Sequence, residues 1–229
     1  MADYTLYLVT DRHLAKSGTV EEIVEKAIAG GCTMVQLREK EGDTGELLER
    51  ALRVKAVTEK YHVPLIIDDR IDVMMAAEAD GVHVGQSDMP AAIARKMIGS
   101  EKILGVSAGT LEEALKAEQD GADYLGVGAM YQTATKTDAD LTTMETLKEI
   151  KKRVHIPVVA IGGINGRTIP DFKGTGIDGF AIASAIMSSD DPYTVFHPAH
   201  EKPYHSVCRL LLSYPDMPAP MSYLTDHVL

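Results

Sequence analysis

The chain has 229 residues, of which 45% are hydrophobic and 25% are charged, and this composition is typical of a folded globular protein. With 23 basic and 34 acidic side chains, its formal net charge is −11, which argues against broad binding to nucleic acid or acidic membranes because both need a basic surface. The sequence contains neither a run of about 18 apolar residues nor an amino-terminal signal segment. Its two cysteines, Cys32 and Cys208, form no metal-binding or disulfide pattern. We therefore expect a cytoplasmic protein with no membrane span and no nucleic-acid partner.

Short apolar runs alternate with amphipathic helical patterns along most of the chain. They predict helices that include residues 20–29, 45–61, 111–119 and 141–153, and strands at residues 5–10, 34–38, 65–68, 81–84, 103–107, 124–127, 158–161 and 179–183. Strands that are apolar throughout and separated by helices are typical of a parallel sheet covered by helices. We predict an α/β fold with a single (β/α)8 TIM barrel over residues 1–190, and an open doubly wound sheet is the alternative.

The composition changes at residue 191. The last segment, residues 191–229, contains six of the ten prolines, namely Pro192, Pro198, Pro203, Pro215, Pro218 and Pro220. Proline interrupts a helix because it lacks a backbone donor and clashes with the preceding turn. We therefore expect an irregular tail that replaces or extends the last barrel helix, with residues 205–212 as its one candidate helical segment.

Charged side chains follow several of the predicted strands, at the end of a barrel where reactive groups lie. Arg38 and Lys40 follow the second strand and Lys136 follows the sixth, so these cations could neutralise an anion from two sides. Asp69 and Asp88 follow the third and fourth strands. Two carboxylates together with phosphate oxygens and water are the ligands that Mg2+ usually takes. The pattern predicts a phosphate site beside a magnesium ion.

Glycines offer a second place for a phosphate. Gly162-Gly163 follows the seventh strand, and bare backbone N–H groups there and at the helix after the eighth strand could hold an anion. Ordinary structural interpretations exist as well: Asp69 could pair with Arg70, Asp88 could cap a helix, and the glycines could form a tight turn. His83 lies within an apolar strand and is interpreted as a core or rim residue rather than a ligand. Because the candidates converge on strand ends, we favour two phosphorylated small-molecule substrates.

Eight segments resemble the thiamine phosphate synthase family, in order and with its spacing, over about residues 7–189. They are YLVTD (7–11), QLREK (36–40), DDR (68–70), GVHVGQSD (81–88), GVS (105–107), GADYLGVG (121–128), TATKTDA (133–139) and IGGI (161–164). The family joins 4-amino-2-methyl-5-(diphosphooxymethyl)pyrimidine to 4-methyl-5-(2-phosphooxyethyl)thiazole, giving thiamine phosphate and pyrophosphate. The resemblance implies a magnesium-assisted dissociative reaction, which needs no protein nucleophile.

The resemblance also implies which residues form the site. The pyrimidine diphosphate would be bound by Gln36, Leu37, Arg38, Glu39, Lys40, Asp68, Ser107 and Lys136. The thiazole phosphate would be bound by Thr133, Ala134, Thr135, Gly163, Ala183 and Ser184. Asp69 and Asp88 would hold Mg2+, and the expected catalytic residues are Arg38, Lys40, Ser107 and Lys136.

The chain departs from the family at three places. Asp68 stands where the family usually has asparagine, and its extra charge would repel the diphosphate unless it binds the metal or a proton; we hypothesise that it joins the Mg2+ shell. Gly109 replaces the histidine on which proton transfer in the sister family of thiazole tautomerases relies, so a synthase is favoured over a tautomerase. The unusual tail leaves open a non-catalytic paralogue that binds thiamine precursors. A homo-oligomer is possible.

Overall fold

In a computed structural model, which describes residues 2–133 and 141–196, eight parallel strands close into a barrel in sequence order. The strands are Leu6–Val9 (β1), Met34–Leu37 (β2), Leu65–Asp68 (β3), Gly81–Val84 (β4), Ile103–Ala108 (β5), Tyr124–Val127 (β6), Val158–Ile161 (β7) and Gly179–Ile182 (β8). Each strand pairs with the next one, and β8 pairs with β1 through Tyr7 and Ala181. The predicted TIM barrel is confirmed, and the open sheet is excluded because neither end of the sheet is free.

Helices follow the strands around the outside. They are Val20–Ala29 (α1), Thr44–Lys60 (α2), Ile71–Ala76 (α3), Ala91–Ile98 (α4), Leu111–Gln119 (α5), Met144–Arg153 (α6), Ser184–Met187 (α7) and Pro192–Phe196 (α8). The sequence predicted α1 and α5 with these bounds, and α2 and α6 to within a few residues. Between β7 and β8 a 3-10 turn, Ile169–Phe172, takes the place of a full helix.

Side chains fix where several helices begin. Thr19 and Thr110 precede α1 and α5, and each accepts a hydrogen bond from a backbone N–H in the first turn while Glu22 or Glu113 bonds back to the cap residue. Asp43 accepts a similar bond at the start of α2. Each such cap is worth about 1 kcal/mol. These caps fix the residues at which the loops end and the helices begin, and those loops carry candidate site residues.

The barrel buries side chains on both faces of its strands. The larger core lies between strands and helices, and a smaller cluster is formed by Tyr4, Tyr7, Val9, Met34, Ile66, Tyr124, Val159 and Ala181. Strand residues alternate between the two faces, so this second cluster fills the barrel interior. Gln36, Asp68 and His83 are also buried on these strands. The interior is therefore partly polar towards the end where the strands finish.

The last described helix lies beyond residue 190. Pro192 occupies the first position of α8, where its missing N–H costs no helical hydrogen bond. A side chain at Gly30, just after α1, would collide with the backbone of Tyr193, so α8 packs closely against the barrel. The segment assigned to the tail thus begins with an ordered turn, and its candidate helix at residues 205–212 lies outside the described residues. In the described ranges no helix is long and apolar enough to cross a membrane.

Candidate active site

A cavity opens where the strands end. Its walls come from residues in or directly after β1, β2, β5, β6, β7 and β8: Val9, Thr10, Asp11, Arg38, Ser107, Gly126, Gly128, Ala129, Thr133, Ile161, Gly162, Gly163, Ile164, Ala181, Ala183 and Ser184. The carboxyl end of the strands is where barrels assemble reactive groups. The sequence motifs that end the strands are therefore brought to one mouth.

Cations and carboxylates meet after β2 and β3. Lys40 Nζ lies 2.7 Å from Asp68 Oδ2 and also contacts Asp69 Oδ2. Arg38 Nε lies 3.8 Å from Asp68 Oδ2, and its Nη1 lies 3.6 Å from Asp11 Oδ2. Burial raises the pKa of the Asp68 carboxyl, although Lys40 and Arg38 act in the opposite direction. Burial acts to lower the pKa of Lys40, but Asp68 and Asp69 outweigh it and raise that pKa. The Lys40 ammonium is thus held ionised at the mouth.

Asp69 and Asp88 form a carboxyl pair beside these cations. Asp69 has a left-handed backbone with φ 59°, and its N–H donates to the carbonyl of His83 at 2.8 Å. Asp88 Oδ2 accepts a hydrogen bond from the N–H of Gly85 at 2.8 Å. Burial raises the pKa of Asp88, and so does its hydrogen bond with Asp69. Two neighbouring carboxyl groups have the hard oxygen donors that a divalent cation takes.

The pair fits a magnesium ion that keeps other ligands. In the two described ranges, no group of three or more His, Cys, Asp or Glu side chains is arranged to hold a metal. An ion bound by only two carboxylates retains water and substrate phosphate oxygens, which is the usual coordination of Mg2+. The ordinary interpretations of the pair do not hold, because Arg70 binds Asp72 at 2.8 Å and the residue at the cap of α4 is Pro90.

The opposite wall is made of backbone and small side chains. Gly162 and Gly163 both have positive φ, at 94° and 69°, and the carbonyl of Gly163 accepts hydrogen bonds from Asn165 Nδ2 and Thr168 Oγ1, each at 3.0 Å. These bonds fix the glycine loop against the cavity. Ser184 begins α7 on the same wall. Backbone N–H groups in such a loop suit an anion that is bound without a charged side chain.

Ser107 connects the cavity to the barrel interior. It is half-buried, its carbonyl accepts a hydrogen bond from Gln86 Nε2 at 2.6 Å, and its Oγ lies 2.9 Å from His83 Nε2. Gln36 is buried on β2 and donates to the hydroxyl of Tyr7 at 2.8 Å. His83 is a buried core residue, as its place in an apolar strand predicts, and it also contacts an expected catalytic residue.

Six of the expected site residues line the cavity: Arg38, Ser107, Thr133, Gly163, Ala183 and Ser184. Leu37 and Glu39 point away from it. Leu37 is buried in the larger core between the strands and the helices, and the Glu39 carboxylate binds Arg50 at 2.9 Å. Either residue could therefore contact a substrate only through its backbone. Ala134, Thr135 and Lys136 lie outside the described residues.

Sequence reasoning missed part of the wall. Thr10 and Asp11 line the cavity after β1, and the hydroxyl of Thr10 accepts a hydrogen bond from the N–H of Arg38 at 3.1 Å. Their position directly after a predicted strand was the available signal. Gly126 and Gly128, at the end of β6, also line it, and a Cβ at Gly128 would collide with the backbone of Ile161.

A (β/α)8 barrel that gathers cations, carboxyl groups and a glycine loop at the carboxyl ends of its strands has the architecture of an enzyme that acts on small molecules. The chain belongs to the thiamine monophosphate synthase family, whose model matches residues 6–186.

Individual relatives agree with this assignment. The chain is 60% identical over 189 residues to the thiamine-phosphate synthase of Clostridium botulinum (strain Eklund 17B), which covers 82% of this chain and 89% of that protein. It is also 60% identical over 189 residues to the thiamine-phosphate synthase of Clostridium beijerinckii, covering 82% of this chain and 90% of that one. Among solved structures, thiamine phosphate pyrophosphorylase from Pyrococcus furiosus is 41% identical, with a TM-score of 0.77 over 83% of this chain and 91% of that chain.

Proposed function

We propose that this transferase joins the pyrimidine methyl diphosphate to the thiazole phosphate at the cavity described above, giving thiamine phosphate and pyrophosphate. The observation that carries the proposal is the pairing of two unlike anion sites across one mouth. Arg38 lines one side of the cavity, with Lys40 beside it across Asp68, and the Gly162-Gly163 loop lines the other side. Two phosphorylated substrates bound there would have their reacting ends directed towards each other.

The reaction divides naturally between bond breaking and bond making. The bond between the pyrimidine methylene carbon and the diphosphate oxygen breaks, and its electron pair leaves with pyrophosphate. The lone pair of the thiazole nitrogen then forms the new C–N bond, so no proton is transferred. Arg38 and Lys40, together with Lys136, which lies outside the described residues, stabilise the charge that builds on the departing oxygen.

Asp69 and Asp88 would hold Mg2+ beside these cations. When bound, the ion neutralises charge on the diphosphate and makes it a better leaving group. Asp88 is kept in place by the N–H of Gly85, and Asp69 by its backbone bond to β4. The protein thus supplies two fixed carboxylates, and the substrate supplies the remaining charged oxygens.

The tautomerase alternative lacks its base. Gly109 follows β5 and occupies the position expected for the catalytic histidine, so no side chain is present there. Its N–H donates a hydrogen bond to Glu113 Oε2 at 2.7 Å. A Cβ added there would meet only ordinary contacts, the nearest at 3.6 Å, so close packing is not what requires glycine at this position. The curated relatives are named thiamine-phosphate synthases, which supports the same choice.

The proposal also covers what the protein binds and where it acts. Its substrates are small molecules, and its location is the cytoplasm. The homo-oligomer stays a prediction, which sedimentation of the purified chain would test.

The decisive experiment is a direct assay. The full chain is incubated with both substrates, with Mg2+ or with a chelator, and thiamine phosphate is followed by mass spectrometry. We expect product only with both substrates and Mg2+. Conversion of the thiazole phosphate to an isomer without the diphosphate would indicate a tautomerase. Binding of both substrates without any product would indicate a non-catalytic paralogue.

A further inference from the structure

Five buried or half-buried side chains form a continuous line of hydrogen bonds inside the barrel. Gln36 Nε2 lies 2.8 Å from the Tyr7 hydroxyl, which lies 2.8 Å from the Tyr124 hydroxyl. That hydroxyl lies 3.0 Å from His83 Nδ1, and His83 Nε2 lies 2.9 Å from Ser107 Oγ. We call these residues the interior relay. It runs from β2 through β1, β6 and β4 to β5, and it ends at the cavity.

The interior relay is buried, and a neighbouring glycine leaves room for it. Tyr7 is 1% exposed, Tyr124 is 0% exposed and His83 is 6% exposed. A side chain at Gly105 would collide with both the Tyr124 hydroxyl and His83 Nδ1, so only glycine on β5 leaves room for their hydrogen bond. Burial raises the pKa of both tyrosines, so each phenol keeps its single proton.

Each tyrosine has one proton to give, so the direction of one hydrogen bond in the relay sets the direction of the next. The amide N–H of Gln36 donates to Tyr7, which leaves the Tyr7 proton for its other partner, the Tyr124 hydroxyl, 2.8 Å away. If Tyr7 donates to Tyr124, the proton of Tyr124 is left for His83 Nδ1. A neutral imidazole that accepts at Nδ1 carries its proton on Nε2 and donates it to Ser107 Oγ. The hydroxyl proton of Ser107 is then available to an acceptor in the cavity.

We propose that the interior relay holds His83 in its Nε2-protonated form and thereby makes Ser107 a hydrogen-bond donor towards the pyrimidine diphosphate. His83 and Tyr124 are positioning residues, since they act on the substrate only through Ser107. This assignment rests on the proposed function. With the opposite polarity Ser107 would give its proton to His83 and would offer only lone pairs to an anionic ligand.

The polarity can be measured without any substrate. In the full, unliganded chain with 15N-labelled histidine, long-range proton–nitrogen correlation spectra report which ring nitrogen is protonated. The chain has eight histidines, and the signals of His83 are assigned by their loss in His83→Gln. We expect a neutral ring protonated at Nε2, and a ring protonated at Nδ1 would overturn the proposal. This result stands whether or not the chain makes thiamine phosphate.

Two substitutions of His83 separate positioning from packing. The amide nitrogen of glutamine can take the place of Nε2 and donate to Ser107, whereas that of asparagine is too short and falls near Nδ1. We expect His83→Asn to lower kcat about ten- to hundredfold, as for loss of one hydrogen bond to a charged group, and His83→Gln to recover much of that loss. KM for the thiazole phosphate should change little in either variant. Equal losses of kcat in both variants would overturn the proposal.

Tyr124→Phe tests the next member of the relay and leaves the ring in place. We expect kcat to fall several-fold, because nothing then obliges Nδ1 to accept. The matched control is Tyr4→Phe: the ring of Tyr4 packs 4.9 Å from that of Tyr124, but its hydroxyl is not part of the relay. Tyr4→Phe should leave kcat unchanged, and an unchanged kcat in Tyr124→Phe would contradict the proposed role.

Discussion

The two walls of the mouth offer different groups to an anion. The wall after β2, β3 and β4 uses charged side chains, with Arg38 and Lys40 set against Asp68, Asp69 and Asp88. The wall after β6, β7 and β8 contributes no charged side chain to the cavity within the described residues, and its glycine loop presents backbone instead.

The difference corresponds to what each anion does in the proposed reaction. Charge builds on the diphosphate as it leaves, and charged groups placed where charge develops lower the barrier. The thiazole phosphate stays attached to its ring, so it needs only to be held in position, which backbone N–H groups can do. Changes on the first wall should therefore act on kcat, and changes on the second on KM for the thiazole phosphate.

Removing a cation from the charged wall should have the largest effect. We expect Arg38→Ala to lower kcat about a hundredfold or more, because its guanidinium would no longer offset charge on the leaving group. Steady-state kinetics with both substrates measures this. The control is Arg53→Ala, since Arg53 is exposed on α2 and pairs with Glu21 away from the mouth. A change confined to KM for the thiazole phosphate would contradict the division between the walls.

The backbone wall is tested by adding one methyl group. At Gly163 a Cβ would lie 2.6 Å from Tyr131 Cβ, at φ 69°, so the loop must move. We expect Gly163→Ala to raise KM for the thiazole phosphate about tenfold, because roughly one good hydrogen bond to the phosphate would be lost. The affinity for the pyrimidine diphosphate should not change.

Gly174 provides a control with the same backbone strain. Its φ is 73°, and a Cβ there would meet nothing within 4 Å. Gly174→Ala should cost about 1–2 kcal/mol in the free energy of unfolding, through strain alone, without changing either KM. If both glycine variants had the same effect on KM, strain rather than the phosphate site would be responsible.

The carboxyl pair predicts a smaller, pH-dependent effect. Because burial and Asp69 raise the pKa of Asp88, the folded chain without metal binds more protons than the unfolded chain, and its stability falls as pH rises through that pKa. Mg2+ must displace the proton, so it should bind less tightly as pH falls. We expect the Mg2+-induced rise in melting temperature to be larger near neutral pH than in mild acid. The rise should disappear in Asp88→Asn, and a rise independent of pH would contradict a carboxylate site.

Much of the fold could be predicted because the signals are local. Thr19 with Glu22 and Thr110 with Glu113 mark helix starts in the sequence, and the apolar runs mark the strands. The short helix Ile71–Ala76 and the 3-10 turn Ile169–Phe172 span too few residues for a helical period to be visible. Motif matching located the mouth but not the direction of each side chain.

Side-chain direction depends on which face of a strand a residue occupies. Along QLREK, Gln36 and Arg38 face the barrel and its mouth, while Leu37 and Glu39 face the helices, as the two-residue period of a strand requires. That alternation was available in the sequence. The meeting of Tyr7 with Tyr124 was not, because it depends on barrel closure between distant parts of the chain.

The smallest expected effect concerns Asp68, where the family usually has asparagine. Its carboxylate lies 2.7 Å from Lys40 Nζ and near Arg38, so these cations already offset the charge that would repel a diphosphate. If Asp68 also joins the Mg2+ shell, Asp68→Asn should weaken Mg2+ activation a few-fold and lower turnover slightly. The measurement is the Mg2+ concentration for half-maximal rate.

A second aspartate gives the comparison. Asp72 is exposed and pairs with Arg70 outside the mouth, so Asp72→Asn should change neither quantity. Unchanged Mg2+ dependence and turnover in Asp68→Asn would remove Asp68 from the metal site. The Asp68 carboxylate would then serve only to hold Lys40 before the diphosphate binds. Its negative charge would do little harm, because Lys40 can leave the carboxylate and pair with the diphosphate instead.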